Sequence, residues 1–368
     1  MQKLKNYWVK IKNFKITRKF VLQTFLVLLL TCLFSLIYFN QATISLYLHN
    51  FSSLNKNTLQ IFSMYVGQGD SSFVILPDKT SILIDTGTEE YADKFCGELS
   101  AIMENNGIEK IDYLFLTHPH SDHIGGAIKV FERFEVLDIF RPIICLPNEN
   151  NSYGYDTTED FLYIEVIEKA KEEGIVNFIT PQEWQISSYT LKIWTPLSVS
   201  YSDLNDYSPV ITLQNEENSL MFTGDLSIDG EDEFLEVTNE IDLDIDLLKV
   251  SHHGSQNATS AEFLQKIKPE VAIISAGVDN IYNFPNEELI ERLKANGVQN
   301  IYSTNTLGTI GISLDNGLTI VASGFIFQDN AFLVTIYFIL LFAIFSVREP
   351  YILKREKRYE SFLQKKKI

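Results

Sequence analysis

The chain has 368 residues, three cysteines and a formal net charge of -18. Residues 1–20 carry seven Lys and Arg and no acid, and residues 348–368 carry eight Lys and Arg and three acids, which leaves 15 basic and 45 acidic residues in 21–347. The cysteine count excludes a disulfide framework or a zinc–thiolate site, and a central net charge of -30 disfavours a long binding track for a nucleic-acid backbone.

Two uncharged apolar stretches border the acidic region. Residues 20–39 contain no charge and are long enough to cross roughly 30 Å of hydrocarbon as a helix. A cleaved signal peptide is the alternative, but the stretch exceeds the ~7–15 apolar residues of such peptides. Residues 331–347 are also uncharged, with a buried helix of the globular domain as the alternative.

The basic flanks of both stretches predict cytoplasmic termini, because loops rich in Lys and Arg stay inside. We therefore expect a two-pass protein of the cell membrane whose central domain is extracellular. The predicted segments are a basic cytoplasmic segment 1–19, a transmembrane helix 20–40, a soluble domain 55–327, a transmembrane helix 331–347 and a basic cytoplasmic tail 348–368.

The central region alternates strand and helix patterns. Short apolar runs predict strands at 59–66, 72–76, 80–85, 113–116, 138–146, 210–213, 219–223, 246–250 and 271–275. Helices are predicted at 90–106, 127–134, 159–173, 260–267 and 286–296, with a polar loop at 147–158. Helices interleaved with strands in both halves predict an α/β domain with two sheets covered by helices.

A dense group of ligand-type side chains follows the strand at 113–116. His118, His120, Asp122 and His123 fall within six residues and precede Gly125-Gly126. Imidazole and carboxylate groups suit zinc or manganese. The spacing places two members on each side of the loop, so two metals could be held close together. A histidine-rich surface loop is the alternative.

Two other strand ends carry similar groups. Asp225 follows Phe222-Thr-Gly, and His252 and His253 follow Lys249-Val-Ser. Every histidine except His49 belongs to these motifs. Because α/β folds gather ligands at strand ends, we expect the three motifs to meet.

These motifs together resemble the metallo-β-lactamase fold superfamily, and more narrowly the extracellular hydrolase-like domain of ComEC-type competence proteins. The resemblance covers about 59–322. It rests on Val66-Gly-Gln-Gly-Asp-Ser71, Leu83-Ile-Asp-Thr-Gly87, Thr117-His-Pro-His-Ser-Asp-His-Ile-Gly-Gly126, Thr223-Gly-Asp225, Lys249-Val-Ser-His-His-Gly-Ser255 and Asn280-Ile-Tyr282 with Pro285. It implies a four-layer αββα sandwich, flanked here by the two transmembrane helices, with a metal site at one edge of the sheets.

The resemblance also implies a set of metal ligands, which are His118, His120, Asp122, His123, Asp225 and His253. The first histidine pair would hold one metal, the Asp-His pair would hold the second, and Asp225 would bridge both. Either His252 or His253 could be the last ligand. We prefer His253, which leaves His252 to face the substrate.

Several residues are expected to support the site. Asp85 would orient the metal loop through hydrogen bonds. Asp70 and Ser71 would line the site, with a turn role as the alternative. Tyr282 and Asn283 would touch the substrate, with plain loop packing as the alternative.

Three positions depart from the family pattern. Residues 124–224 contain no histidine, although many members supply a metal ligand there, and Asn205 or Asp206 could substitute weakly. Tyr65 stands where competence proteins usually have aspartate, and Phe284 stands where they often have histidine. The metal held by the first histidine pair is therefore expected to bind more loosely.

The sequence thus predicts a membrane-anchored hydrolase that uses one or two Zn²⁺ or Mn²⁺ ions. Asp122 or Asp225 would orient or deprotonate the attacking water, and His252 would stabilise developing charge. The expected bond is a phosphodiester, in surface DNA or in a phosphocholine-decorated envelope polymer, and the acidic charge disfavours DNA. The alternatives are a metal-binding module without turnover and a carbonyl hydrolase of lactones or β-lactams. No protein partner is indicated.

Overall fold

The computed structural model describes residues 18–39, 51–315, 317–323 and 330–346. The chain forms two compact units: a central unit of residues 45–325, and a terminal unit of residues 1–44 and 326–368. Of the two predicted basic segments, residues 1–17 of the first and all of the second, 348–368, lie outside the described residues.

Within its described residues, the terminal unit contains two helices, Arg18–Phe39 and Asn330–Ser346. The Tyr337 hydroxyl lies 2.9 Å from Thr31 Oγ1, and its ring centroid lies 4.5 Å from that of Phe34. Over the part of the chain that the structure describes, no helix combines the length and apolar character that crossing a bilayer requires.

The central unit alternates strands with helices over its described residues. Its strands are β1 (Leu59–Ser63), β2 (Ser72–Ile75), β3 (Ser81–Ile84), β4 (Ile111–Phe115), β5 (Val136–Arg141), β6 (Ile175–Phe178), β7 (Gln182–Ile186), β8 (Tyr189–Ile193), β9 (Ile211–Gln214), β10 (Ser219–Phe222), β11 (Leu247–Lys249), β12 (Val271–Ile274), β13 (Asn300–Ser303), β14 (Ile310–Asp315) and β15 (Gly317–Ala322). Its helices are α1 (Ala92–Asn106), α2 (Ser121–Ile124), α3 (Ala127–Arg133), α4 (Phe161–Glu173), α5 (Ile228–Val237), α6 (Ala261–Ile267), α7 (Glu287–Ala295) and α8 (Thr304–Leu307).

The strands form two sheets. The first has the order β15-β14-β1-β2-β3-β4-β5-β6, and the second has the order β13-β12-β11-β10-β9-β8-β7. Strands β3 to β6 run parallel in the first sheet, and β10 to β13 run parallel in the second. Parallel strands end at a common edge of their sheet, so the loops that follow them are brought together there.

The two sheets pack through apolar inner faces. Strand β8 shows the period of two that this requires, because Tyr189, Leu191 and Ile193 are buried while the residues between them are partly exposed. The inter-sheet core also contains Phe115, whose ring stacks on that of Phe140 at 4.6 Å.

Helices cover the outer faces of the sheets. On the second sheet, Met221, Leu248 and Ile274 pack with Phe234 of α5 and Phe263 of α6. Beside the first sheet, α4 contacts β5 and β6, and α3 contacts α1 and α4. The domain is thus the two-sheet α/β sandwich that the sequence predicts.

The nine predicted strands are present, with shifted limits. The largest difference is at 138–146, where the strand is Val136–Arg141 because Pro142 has no N–H to continue the ladder. The sequence interpretation missed β6, β7, β8 and β13 to β15. Strands β6 and β7 are largely exposed or half-buried, so they lack the continuous apolar runs that identify buried strands.

The packing between the sheets leads to a stability prediction. Replacing the fully buried Phe115 with alanine leaves a cavity between them and should lower the free energy of unfolding by ~3–5 kcal/mol. Phe161→Ala is the matched control, because this ring is 88% exposed and its loss should change that free energy by less than ~0.5 kcal/mol. Urea unfolding followed by tryptophan fluorescence measures both, and equal effects of the two variants would refute this account of the core.

Candidate metal centre

The loop after β3 places a buried carboxylate beneath the histidine motif. Asp85 Oδ1 accepts a hydrogen bond from the Thr117 backbone N–H at 2.8 Å, and Oδ2 accepts one from Thr117 Oγ1 at 2.7 Å. The same Oδ2 lies 2.7 Å from His123 Nδ1. These contacts hold both the loop and the imidazole in place, and the role of Asp85 in orienting metal ligands stays a prediction.

The loop after β4 carries the first histidines. His118 is buried, and its Nδ1 lies 3.1 Å from Thr117 Oγ1 and 3.2 Å from Ser208 Oγ. Its Nε2 lies 3.0 Å from His120 Nδ1. His118 and His120, the histidine pair, thus direct one nitrogen each toward the other.

The second sheet contributes Asp225 and two histidines. Gly224, at φ 49°, turns the chain after β10, and a Cβ there would lie 2.8 Å from Ser208 Oγ. The Asp225 N–H donates to Ser208 Oγ at 3.0 Å, and the His252 N–H donates to the Gly224 carbonyl at 3.1 Å. These bonds align the ends of β10 and β11 beside each other.

Four residues from the two sheets meet at this edge. The ligand atoms of Asp122, His123, Asp225 and His253, the four-residue cluster, all lie within 4.8 Å of one another. His253 Nε2 is 3.2 Å from Asp122 Oδ2 and 3.2 Å from Asp225 Oδ2, and His123 Nε2 is 3.2 Å from Asp225 Oδ1. His253 Nδ1 lies 3.0 Å from the Ser275 carbonyl, which it can reach only as a donor, so its Nε2 is free to act as a ligand.

The cluster balances buried carboxylates with imidazole charge. Burial opposes protonation of His253, but Asp225 and the hydrogen bond to Asp122 raise its pKa to about 9. Burial also lowers the pKa of His123, but Asp225 and Asp85 raise it by more, so that it lies well above the usual imidazole value. Burial alone would raise the pKa of Asp225, but His123 and His253 hold it well below its usual value.

These shifts show that the cluster favours positive charge beside its carboxylates, and a divalent cation supplies such charge while displacing imidazole protons. Asp225 Oδ1 is buried, and His123 Nε2 lies 3.2 Å from it without completing a hydrogen bond, so among the described residues this oxygen has room for a further partner. The two imidazoles and two carboxylates of the cluster, Asp225 included, are a donor set suited to zinc or manganese. The residues therefore fit a metal ion.

The histidine pair is less completely surrounded. Burial and the nearby charge of His123 lower the pKa of His118 well below its usual value, so its imidazole is neutral. Within the 205–208 segment, the Ser208 hydroxyl is the polar group that approaches His118. Asp206 instead accepts hydrogen bonds from the backbone N–H and hydroxyl of Ser227, at 3.2 and 2.7 Å. Its carboxylate thus supports the turn after Asp225 rather than the histidine pair.

The predicted substrate residues are placed differently from one another. Asp70 and Ser71 are buried, with Asp70 paired to Lys249 and the Ser71 hydroxyl donating to the Asp85 carbonyl at 3.0 Å. This placement favours a supporting role over the substrate contact that the sequence predicts. The substrate roles of Tyr282 and Asn283 stay predictions.

Aromatic rings border the cluster on the side of His253. Tyr282 is 57% exposed, and its ring stacks at 5.5 Å on Phe284. The Phe284 ring lies 5.9 Å from that of His252 and 6.5 Å from that of His253. Phe284, a departure from the family pattern, therefore packs directly against both imidazoles.

Sequence reasoning missed three residues that support the site: Thr117, Ser208 and Lys249. Thr117 and Ser208 are small hydroxyl residues, which carry no distinctive signal in a single sequence. Lys249 did carry such a signal, since it is a cation between the apolar residues Leu248 and Val250 of a predicted strand. A lysine in a buried strand needs a buried partner.

The contacts of Asp85 lead to a prediction for metal binding. Asp85→Asn removes one acceptor beside Thr117 and His123, and should lower the affinity for Zn²⁺ or Mn²⁺ by ~10–100-fold, as loss of such orienting groups typically does. The measurement is a titration against a competing chelator dye. Asp112→Asn is the matched control, because Asp112 also accepts a backbone N–H, from Ser81 at 2.9 Å, but lies at the opposite end of β4. The account fails if both variants bind metal as tightly as the unaltered chain, or if both lose affinity equally.

Comparisons with known proteins bear on this geometry. A family model described as the metallo-beta-lactamase superfamily matches residues 64–278. The chain is 31% identical over 262 residues to ComE operon protein 3 of Bacillus subtilis, covering 67% of this chain and 32% of that protein. It is 29% identical over 245 residues to Recombination protein 2 of Haemophilus influenzae, covering 66% and 27%.

A third relative is the Competence protein ComA of Neisseria gonorrhoeae, 27% identical over 251 residues that cover 68% of this chain and 32% of that protein. The chain thus spans only 27% to 32% of the length of these three relatives. The predicted resemblance to competence proteins is confirmed. With 64–278 matched by the family model, this chain belongs to the metallo-beta-lactamase superfamily.

Proposed function

We propose that this chain is a membrane-anchored, metal-dependent hydrolase of phosphodiesters whose central domain lies outside the cell. The observation that carries the proposal is the four-residue cluster at the joint edge of the two sheets. It offers two imidazoles and two carboxylates in a chain of a metal-dependent hydrolase family.

In this proposal the four-residue cluster would hold the tighter metal, and the histidine pair with Asp225 would hold a weaker second one. When bound, such a metal polarises a phosphoryl oxygen and lowers the pKa of water toward ~7. Asp225 lies 3.2 Å from both His123 and His253, so it would contact the metal of the four-residue cluster, and its sharing with the second metal is proposed from the family pattern alone. Asp122 or Asp225 accepts the proton of the attacking water.

His252 is proposed to contact the reacting phosphate. It is half-buried, and its Nε2 lies 3.8 Å from Asp225 Oδ2. Burial lowers its pKa below the usual imidazole value, so the ring is neutral and offers one N–H. An N–H directed at the phosphoryl oxygens stabilises the charge that develops on them.

Charge and shape favour a small or end-on substrate. The net charge of -30 in residues 21–347 repels a long polyanion, whereas one phosphodiester needs only the metals. The exposed ring of Tyr282, with Asn283 beside it, would receive the group attached to the phosphate. A phosphocholine ester or the end of an envelope polymer fits these features better than internal DNA does.

A second candidate is a metal-binding module without turnover. The observation behind it is that a serine hydroxyl, from Ser208, approaches His118 where many family members supply a third histidine. A weakened second metal position would leave metal binding without efficient hydrolysis.

The test is hydrolysis by the full chain of bis(4-nitrophenyl) phosphate, a phosphocholine ester, single-stranded DNA, a lactone and a β-lactam. We expect turnover of the phosphodiesters, with the phosphocholine ester preferred to DNA. A chelator should abolish it and Zn²⁺ or Mn²⁺ should restore it, because the metal supplies the activated water. His118→Ala combined with Asp122→Ala should reduce turnover to background.

The matched control is His49→Ala combined with Asp242→Ala, which removes the same two types of side chain outside the motifs, Asp242 being exposed. This double variant should keep full turnover. Full activity of the first double variant contradicts the proposal. Turnover only of the lactone or β-lactam assigns carbonyl chemistry, and about one bound metal with no turnover on any ester favours the module.

Membrane anchoring is a separate part of the proposal. It is supported by the uncharged stretches 20–39 and 331–347 and by the basic residues outside them. We expect the full chain to sediment with membranes and to resist extraction at high pH. Protease added outside intact spheroplasts should digest the central domain. Recovery of the chain in the soluble fraction, or digestion only after lysis, would contradict the anchoring and its orientation.

A further inference from the structure

A buried ion pair joins the two sheets next to the candidate metal centre. Lys249 is the last residue of β11 in the second sheet, and Asp70 lies in the loop between β1 and β2 of the first sheet. Lys249 Nζ pairs with Asp70 Oδ2, and both side chains are almost wholly buried. The same Nζ donates to the Val250 carbonyl at 3.1 Å, which holds the ammonium close to the end of its own strand.

The backbone of Asp70 is bonded to two neighbouring loops, the histidine loop after β4 and the loop after β3. Its N–H donates to the Asp122 carbonyl at 3.1 Å, and its carbonyl accepts the Gly87 N–H at 2.9 Å. A Cβ at Gly69 would lie 2.4 Å from the Asp122 carbonyl oxygen, so the close approach of the two loops requires glycine there. A displacement of Asp70 would therefore displace Asp122 as well.

The charges of this region make Lys249 necessary. Carboxylate oxygens of Asp70 and Asp85 and a nitrogen of His123 lie within 4.8 Å of one another. Two carboxylates at this separation repel each other. Asp70 Oδ1 is buried and has no hydrogen-bond partner among the described residues, so the contact of Oδ2 with Lys249 is what compensates its charge. A buried charge that loses its partner is strongly destabilising.

We propose that Lys249 is a positioning residue of the metal centre. By pairing with Asp70 across the two sheets, it holds the 66–71 loop, and through that loop Asp122, at the distance from Asp225 and His253 that metal binding needs. This rests on the metal binding assumed in the proposed function, but it does not depend on which bond is cleaved.

The test compares the metal affinities of full-chain variants by titration with Mn²⁺ or Zn²⁺. Lys249→Met should lower the affinity by ~10–100-fold, the loss typical of groups that orient metal ligands. Lys249→Arg, which keeps the charge, should lose less. In the double variant Lys249→Met/Asp70→Asn neither buried charge is left without its partner. The fold loss of metal affinity should therefore be smaller than the product of the fold losses in the two single variants.

Arg141→Met is the matched control, because Arg141, the last residue of β5, is buried, forms an ion pair with the half-buried Glu149 and also donates to a backbone carbonyl, that of Ile144. It should lower the melting temperature but leave the metal affinity within about twofold, as for an independent site. A control that loses as much metal affinity as Lys249→Met would assign the effect to general destabilisation and overturn the proposal.

Amide hydrogen exchange supplies a readout that needs no metal. In Lys249→Met the Asp70 N–H, which bonds to the Asp122 carbonyl, should exchange faster, while amides of β8 and β9 keep their rates. If Lys249→Met does not fold, the comparison of Asp70→Asn with the double variant decides. The proposal predicts that adding Lys249→Met to Asp70→Asn causes no further loss of metal affinity.

Unchanged affinity and exchange in Lys249→Met overturn the proposal, as does a double variant whose loss equals the product of the single losses. A chain that binds metal but hydrolyses none of the esters defeats the proposed function alone, because these measurements require no turnover. The two ideas can therefore fail separately.

Discussion

The two sheets must pack face to face to bury their apolar sides, and this constraint determines where the chemistry lies. Phe115 of the first sheet ends strand β4 in the shared core, and the first histidine of the motif, His118, follows three residues later. Strands β10 and β11 of the second sheet end at the same edge, followed by Asp225 and His253. Ligands far apart in sequence therefore meet because the strands that carry them share one core.

Burial gives this meeting point its electrostatic character. Carboxylates taken out of water are costly unless positive charge or hydrogen bonds face them. Here Asp85 contacts Thr117 and His123, Asp225 contacts His123 and His253, and Asp70 contacts Lys249. The protein alone meets this need partly with protonated imidazoles, and a divalent cation meets it more fully.

Much of the site could be predicted from the sequence, because its residues are chemically distinctive. Histidines concentrated at strand ends, and an aspartate after a glycine turn, indicate ligation without any knowledge of distances. The sequence also predicts hydrogen bonds from Asp85 to the histidine loop, and the structure has such bonds to Thr117 and His123, while the role of Asp85 at a metal stays a prediction.

Other features depend on three-dimensional contacts that no local pattern reveals. Asp70 lies in a motif typical of a site loop, yet its partner Lys249 comes from the other sheet, so its burial could not be foreseen. Ser208 approaches His118 although Asn205 and Asp206 are the stronger candidates by residue type. Strands β6 and β7 escaped prediction because exposed strands need no apolar alternation.

The central claim is that the four-residue cluster binds the tighter metal. Anomalous X-ray diffraction from crystals of the full chain grown with one equivalent of Zn²⁺ or Mn²⁺ tests it directly. The account predicts one dominant peak coordinated by Asp122, His123, Asp225 and His253, with weaker or no density between His118 and His120. A dominant peak at the histidine pair, or no peak at this edge of the sheets, would contradict it.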